Sequence, residues 1–379
     1  MTTGLDLGNV LARMVKEEAS DLFLKVGVPP AIRSVGKVIS TGGPAITEAM
    51  VKEIFEQITD DYDKKKFREH NEVDLSYEAL GVGRFRVNIF KQRGYIGMVF
   101  RYVRTSIMTF EELNLPSDPL KKLALLPRGL ILITGTAGSG KSTTLASIIE
   151  FINKNEEKHV ITIEDPIEFT FIDKKCVVEQ REVGGDTESF QAALKYVIRQ
   201  SPDVIMIGEM RDTDTVEAAL SAAETGHLVF STLHTVNAMQ TVERIMNFFP
   251  PHQHNFLRQQ LSQLLEGVIS QRLIPTKDGT SRVPAIELLL GTPTIKELIF
   301  DGKFNEIYKA IKEGIYYGTQ TFNQSLKHLL EKDMVTLEDA LVAADIPDEL
   351  KLELRGIKKD TVKYTTAGKD STTKFTQHR

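Results

Sequence analysis

The segment Gly135-Thr136-Ala137-Gly138-Ser139-Gly140-Lys141-Ser142 matches G-x-x-x-x-G-K-[ST] at every fixed position. It follows an apolar run, residues 129–134, and precedes a stretch of helical character that begins at Lys141. Strand, glycine-rich turn and helix in that order constrain this chain more than any other feature, because such a turn works at the carboxyl edge of a parallel sheet. The glycines let backbone N–H groups curl around phosphate oxygens, and the helix aims its positive end at the same anion. The pattern predicts ATP in a cradle of residues 135–143, Thr143 included, with Lys141 on the β- and γ-phosphates and the Ser142 hydroxyl on Mg²⁺. An incidental glycine-rich turn would have no need of the flanking strand and helix.

The surrounding pattern agrees with that placement. Short apolar segments at 129–134, 159–163, 203–207 and 227–232 alternate with helical stretches at 141–153, 187–199, 213–224 and 252–273. This alternation predicts an α/β fold, a parallel sheet covered by helices. Residues 1–112 read differently, as an opening amphipathic helix over 1–21 followed by short alternating strands, including 83–90 and 96–103, that make a smaller α+β domain. Pro116 and Pro119 mark 113–120 as a linker, which leaves 121–357 as the ATP-binding domain with its C-terminal helices. From Lys358 to Arg379 the chain turns to Lys, Thr, Asp and Ser and predicts a disordered tail.

Three further segments carry chemistry. Asp203-Val204-Ile205-Met206-Ile207-Gly208-Glu209 is an apolar strand ending in a carboxylate, where α/β sheets place ligand-facing groups. Glu209 is the expected holder of Mg²⁺, directly or through a water. The aspartate usual at the end of such a strand is absent, since Gly208 precedes Glu209. Ile161-Thr162-Ile163-Glu164-Asp165-Pro166-Ile167-Glu168-Phe169 runs a strand into three carboxylates around a proline. Acids beside a triphosphate repel it unless a metal or a water needs them. Glu164 is the candidate to orient and deprotonate the attacking water; solvated loop acids are the plainer account. Gly226-His227-Leu228-Val229-Phe230-Ser231-Thr232-Leu233-His234 puts a histidine near each end of another apolar strand. Such histidines are more often structural than catalytic, but a strand beside that of Glu209 would let His234 sense the γ-phosphate.

Arg84, Arg86, Arg101 and Arg104 lie on two predicted strands of the first domain, and no arginine follows the P-loop closely. They form either a solvated basic face or arginine fingers that reach a neighbour's γ-phosphate across a subunit interface.

Composition excludes several classes. Of the 379 residues 41% are hydrophobic and 26% charged, ordinary for a folded globular protein. The formal net charge of −5 supplies no global basic field, so nucleic acid is not an expected partner. Cys176, the only cysteine, cannot form an internal disulfide or a four-thiolate zinc site and fits a reducing, cytoplasmic setting. The opening helix carries charges throughout, unlike a signal core, and no apolar run approaches the ~20 residues that a transmembrane helix needs.

In their order, the blocks at 135–142, 161–169, 203–212 and 226–234 resemble the Walker A, Asp box, Walker B and His box of the secretion ATPases, and specifically the PilT/PilU retraction branch. The resemblance extends over about residues 1–350. It takes in Ser20-Asp21-Leu22-Phe23-Leu24, the Gly83-Arg84-Phe85-Arg86-Val87 strand, and Gly208 before Glu209, which that family tolerates. It implies a PAS-like N-terminal domain, a RecA-like C-terminal domain and a homohexamer. It further implies ATP-driven disassembly of pilin for twitching motility, at the inner face of the inner membrane against a pilus platform protein, and it allows a second retraction ATPase as a further partner. PilT-type members usually carry an Ala-Ile-Arg-Leu-Ile-Arg-Glu-like helix, whereas Thr294-Ile295-Lys296-Glu297-Leu298-Ile299-Phe300 stands here without either arginine. That departure, Phe23 in place of a common histidine, and the segment Pro275-Thr276-Lys277-Asp278-Gly279 lean toward the PilU-like accessory type, while Gly208-Glu209-Met210-Arg211-Asp212 is more PilT-like. The rivals are a pilus-assembly or type II secretion ATPase of the same superfamily, a RecA-like nucleic-acid translocase, and a regulatory partner that binds ATP without turnover. The first typically carries a four-cysteine zinc insertion and a longer N-terminal region.

Overall fold

The computed structural model describes residues 5–34 and 36–355; the tail expected from Lys358 onward lies outside them. The chain opens with α1 (Leu7–Lys16), shorter than the helix predicted over 1–21. Asp6 caps it by accepting the Asn9 N–H, and Leu7, Leu11 and Met14 bury one stripe. Glu18 then takes a left-handed conformation, φ 52°, and turns the chain into β1 (Asp21–Lys25). There follow β2 (Ala31–Ser34), β3 (Lys37–Ser40), α2 (Glu48–Ile58), α3 (Asp61–His70), β4 (Glu72–Ala79), β5 (Gly83–Gln92) and β6 (Tyr95–Tyr102). The strands form an antiparallel sheet in the order β3-β2-β1-β6-β5-β4. Strand alternation sends Leu22, Leu24, Phe85, Val87, Ile89 and Phe100 into a core shared with α1 and α2. The opposite face carries Arg84, Arg86 and Arg101, and Arg86 stands directly across from Arg101. Asp21, only 3% exposed, accepts from Arg101 at 2.9 Å and pairs with Arg33 at 3.2 Å.

The stretch 113–120 is packed rather than a free linker. Phe110, Leu115 and Leu120 are buried among residues of the second domain, and α4 (Ser117–Ala124) begins inside it. Its prolines sit just before the helix and in its first turn, where the missing N–H costs no intrahelical bond.

Next come β7 (Gly129–Thr134), α5 (Lys141–Asn155), β8 (His159–Glu164), β9 (Val177–Glu182), α6 (Phe190–Val197), β10 (Val204–Ile207), α7 (Thr213–Glu224), β11 (Leu228–Leu233), α8 (Ala238–Asn247) and α9 (His254–Leu264). The second sheet is completed by β12 (Leu265–Pro275) and β13 (Arg282–Leu290). Its order is β13-β12-β7-β11-β10-β8-β9, parallel throughout except for the antiparallel edge pair β12 and β13. All residues of β7, β10 and β11 are buried, as befits parallel strands covered on both faces. Helices α10 (Pro293–Asp301), α11 (Ile307–Glu313), α12 (Phe322–Glu331), α13 (Leu337–Ala343) and α14 (Pro347–Leu354) follow the sheet.

The helix predicted over 252–273 is a correction: it stops at Leu264, and the rest is β12, in which Val268 and Ile269 pair with Leu132 and Ile133 of β7. That stretch mixes Leu265, Val268, Ile269 and Leu273 with Glu266, Ser270, Gln271 and Arg272, and its apolar positions keep no strict alternation that would mark a strand. Neither β9 nor β13 was legible as a strand. The former is charged, and Pro284 in the latter is tolerated because β13 is an edge strand. Parallel pairing places the carboxyl ends of β7, β8, β10 and β11 on one side of the sheet, and the site is built there.

Candidate active site

The loop after β7 turns into α5 through Gly140, and its backbone folds tightly. A Cβ on Gly135, φ 146°, would lie 2.5 Å from both the Gln271 carbonyl and the Ser139 hydroxyl, so only glycine fits. Gln271 on β12 donates its Nε2 to the Ser139 carbonyl at 2.6 Å and fastens the loop from beneath. Lys141, 8% exposed, donates to the carbonyls of Gly135 (2.8 Å) and Thr136 (3.0 Å). Burial pulls its ammonium below the ordinary lysine range, and Glu209 and Glu168 act against that pull. The Ser139 hydroxyl is buried without a hydrogen-bond partner among the described residues. An orphaned hydroxyl in a loop at a helix N-terminus fits a phosphate group.

Beside the loop lies a cavity of about 320 Å³ lined by Lys141, Ser142, Glu164, Glu209, Arg211 and His234 among others. Glu209 follows β10 after one glycine. The Gly208 N–H donates to the Ile163 carbonyl, and a Cβ there would meet that oxygen at 3.2 Å. Glycine in place of the usual aspartate thus lets the ends of β10 and β8 close together. The Glu209 carboxylate accepts from Arg211 Nε at 2.8 Å and lies 3.3 Å from His234 Nε2, while His234 Nδ1 is 3.4 Å from Lys141 Nζ. Ser142 and Glu209 face one cavity with a hydroxyl and a carboxylate, a donor set suited to Mg²⁺.

Glu164 ends β8 and is 7% exposed. Burial pushes its carboxyl up to about 7, although Thr162 Oγ1 (2.7 Å) and Gln180 Nε2 (3.1 Å) donate to it and counter the rise. Asp165 and Glu168, its companions around Pro166, are exposed but also line the cavity. A carboxylate poised near neutrality next to an anion-binding loop has the properties of a general base.

The cavity lining includes none of Arg84, Arg86, Arg101 or Arg104 within the single chain. Arg84 pairs instead with Glu182 of β9 at 3.2 Å, across the two sheets, and Arg101 is held by Asp21. Arg104 lies beyond the end of β6, in an isolated bridge to Phe169. Sequence reasoning overlooked Arg211, which lines the cavity and reaches both Glu209 and Asp165, the latter at 3.6 Å. Its place in the turn after the Glu209 strand was the one available signal. Gln180, Glu182 and Gln271 gave no comparable signal.

Fold and site together define a P-loop ATPase of RecA type. A family model described as "Type II/IV secretion system protein" matches residues 84–313, and the chain belongs to that family. It is 44% identical to the type IV pilus retraction ATPase PilT of Pseudomonas aeruginosa, over 91% of this chain and 99% of that one. It is 43% identical to the type IV pilus ATPase PilU of the same organism, over 93% and 92% respectively. Among solved structures, the pilus retraction motor PilT with bound ADP superimposes with a TM-score of 0.84 at 44% identity, covering 92% of this chain and 99% of that chain. The near-equal identities do not divide the two subtypes. The element lacking the family arginines is α10, where Lys296 pairs with Glu266 at 2.7 Å and Phe300 is 57% exposed. No helix among the described residues is long and apolar enough to cross a membrane.

The raised carboxyls set a sign for stability against pH. Glu164 and the buried Glu287 of β13 both stand at about 7 in the fold against an ordinary value of 4.5, burial being the main cause for each. The native state therefore keeps protons that the unfolded chain releases, and stability falls as pH rises from about 4.5 to about 7. Glu164→Gln should flatten part of that decline, so that thermal melts at about pH 5 and about pH 8 differ less in the variant than in the parent. Equal slopes in the two proteins would show that Glu164 does not hold its proton.

Proposed function

We propose that this chain is the subunit of a cytoplasmic homohexameric motor that hydrolyses ATP to retract type IV pili, working at the inner face of the inner membrane against a platform protein. The observation that carries the reading is the convergence of Lys141, Ser142, Glu164, Glu209 and His234 on one cavity at the carboxyl edge of the parallel sheet, in a chain 44% identical to a retraction ATPase over almost its whole length.

In the reaction the loop 135–143 grips the β- and γ-phosphates through backbone N–H groups, and Lys141 supplies the cation facing the transferred group. Magnesium, held by Ser142 and Glu209, would neutralise charge on the phosphate oxygens. Glu164 accepts a proton from water while the water oxygen bonds to the γ-phosphorus, and the bond between that phosphorus and the β–γ bridging oxygen breaks to release ADP and phosphate. His234, between Lys141 and Glu209, reads whether a γ-phosphate is present.

The four first-domain arginines complete this reading from a neighbouring subunit. Opening and closing of the two domains would carry them to and from the γ-phosphate, which requires breaking the pair between Arg84 and Glu182. An arginine finger can contribute ~10³–10⁵ in rate. Arg84→Ala removes a cation from the buried Glu182 and Arg101→Ala one from the buried Asp21, so unchanged thermal melts are required of either variant before its turnover is read. Mixing inactive Lys141→Ala chains with Arg84→Ala chains should give more turnover than the sum of the two alone. Mixed rings shown to form but without regained activity would end the trans assignment.

Glu164→Gln should leave nucleotide affinity near that of the parent and slow turnover by at least ~10², the range of general-base loss. A fall in affinity with an unchanged single-turnover rate would make Glu164 a structural group. In the cell, a clean deletion should leave excess surface pili; absent pili would point to the assembly ATPases instead.

A further inference from the structure

Strand β12 touches both loops of the site and then meets the C-terminal helices. Gln271 holds the P-loop through the Ser139 carbonyl, and the next residue, Arg272, turns away from the nucleotide cavity. One guanidinium nitrogen of Arg272 donates to the Ala343 carbonyl at 2.6 Å. The other donates to Asp345 Oδ1 at 2.6 Å and to the Val236 carbonyl at 3.4 Å. The guanidinium carbon lies over the fully buried ring of Phe322, 3.8 Å from its centre.

Val236 belongs to the short connection, residues 234–237, that joins β11 to α8 and begins with His234. The far end of that connection is also pinned: Glu287, 2% exposed, accepts the Ala238 N–H at 2.7 Å. Thr235 of the connection shares a hydroxyl hydrogen bond of 2.7 Å with Thr241 of α8. His234 is thus placed against Lys141 and Glu209 by a loop whose middle is tied, through one side chain, to the turn after α13. A planar fork can serve three acceptors that a lysine could not reach together.

We propose that Arg272 is a positioning residue of the nucleotide site, holding the His234 loop in register and coupling the C-terminal helices to turnover. The inference rests on the reading that His234 senses the γ-phosphate. It assigns the turn at 343–345 the role of a remote control on the loop: whatever moves that turn moves the Val236 carbonyl, and His234 with it.

The test uses the full chain with Arg272→Lys, which keeps the charge, and Asp345→Asn, which removes one anchor and leaves the arginine in place. Amide hydrogen exchange is followed over 234–238, 343–346 and the P-loop. Both variants should exchange at least ~10-fold faster over 234–238 and over 343–346, with the P-loop unchanged. Turnover in Arg272→Lys should fall ~10–10²-fold, the effect of a small misplacement at a reacting centre, with KM for ATP within about twofold of the parent. Faster exchange confined to 343–346, or spread over the whole chain, would overturn the coupling. If His234→Ala kept the parent's turnover, the sensing role would fall separately, while the exchange result would still decide whether Arg272 links the two segments.

Discussion

The site is organised around a buried ammonium. Lys141 sits at the first position of α5, almost out of water, where a bare cation would be costly unless oxygen atoms surround it. The Gly135 and Thr136 carbonyls meet that need directly, and Glu209 adds its charge at longer range. These partners come from the loop itself and from the end of β10, and His234 approaches from the end of β11. The parallel register that brings those strand ends level is therefore a requirement of one side chain. The Lys141 charge is thus compensated by carbonyls and a carboxylate of the same chain.

Glu182 has a corresponding place between the domains. Its carboxylate takes the Ser76 hydroxyl at 2.6 Å and the Arg84 guanidinium at 3.2 Å from the first domain, and the Ile167 N–H at 3.2 Å from the loop that carries Glu168. A movement of the first domain thus pulls on a segment that lines the cavity. Because Arg84 is occupied there, its availability to any other phosphate depends on how the two sheets sit against each other. Interfaces of this polar kind, satisfied by a few charge-assisted bonds, are the sort that can part and re-form.

Much of the larger domain was legible because its buried strands read as continuous apolar runs and the P-loop fixes the position of the first. Lys141, Ser142, Glu164, Glu209 and His234 line one cavity because the loop after β7 and the ends of β8, β10 and β11 meet at the carboxyl edge of the sheet. The failures have different physical origins. Residues 265–273 were read as helix because their apolar and polar positions do not alternate strictly, so the period that would separate the two structures is missing. The packed run at 113–120 was read as a linker because proline marks a chain's turns and helix starts alike. Gln271 and Glu182 act through partners distant in sequence, and residue type or spacing cannot foretell such pairings, whereas Arg211 lies only two residues from its partner Glu209.

Two arginines of the first domain, Arg84 and Arg101, are already engaged by carboxylates of the same chain. An arginine finger needs an open path to the phosphate, yet here Arg84 and Arg101 are bonded within the chain, and their sheet faces β9 rather than the P-loop. If the fingers act, they do so after the Glu182 contact opens, and the ion pair then sets a threshold that domain motion must overcome. Opening it leaves the buried Glu182 carboxylate without the Arg84 cation even when the arginine meets a phosphate, and that cost holds the contact closed until domain motion supplies the work. The retraction motor would then have its gate in the contact between domains and its catalytic groups in the cavity, joined by the loop from β8 to β9.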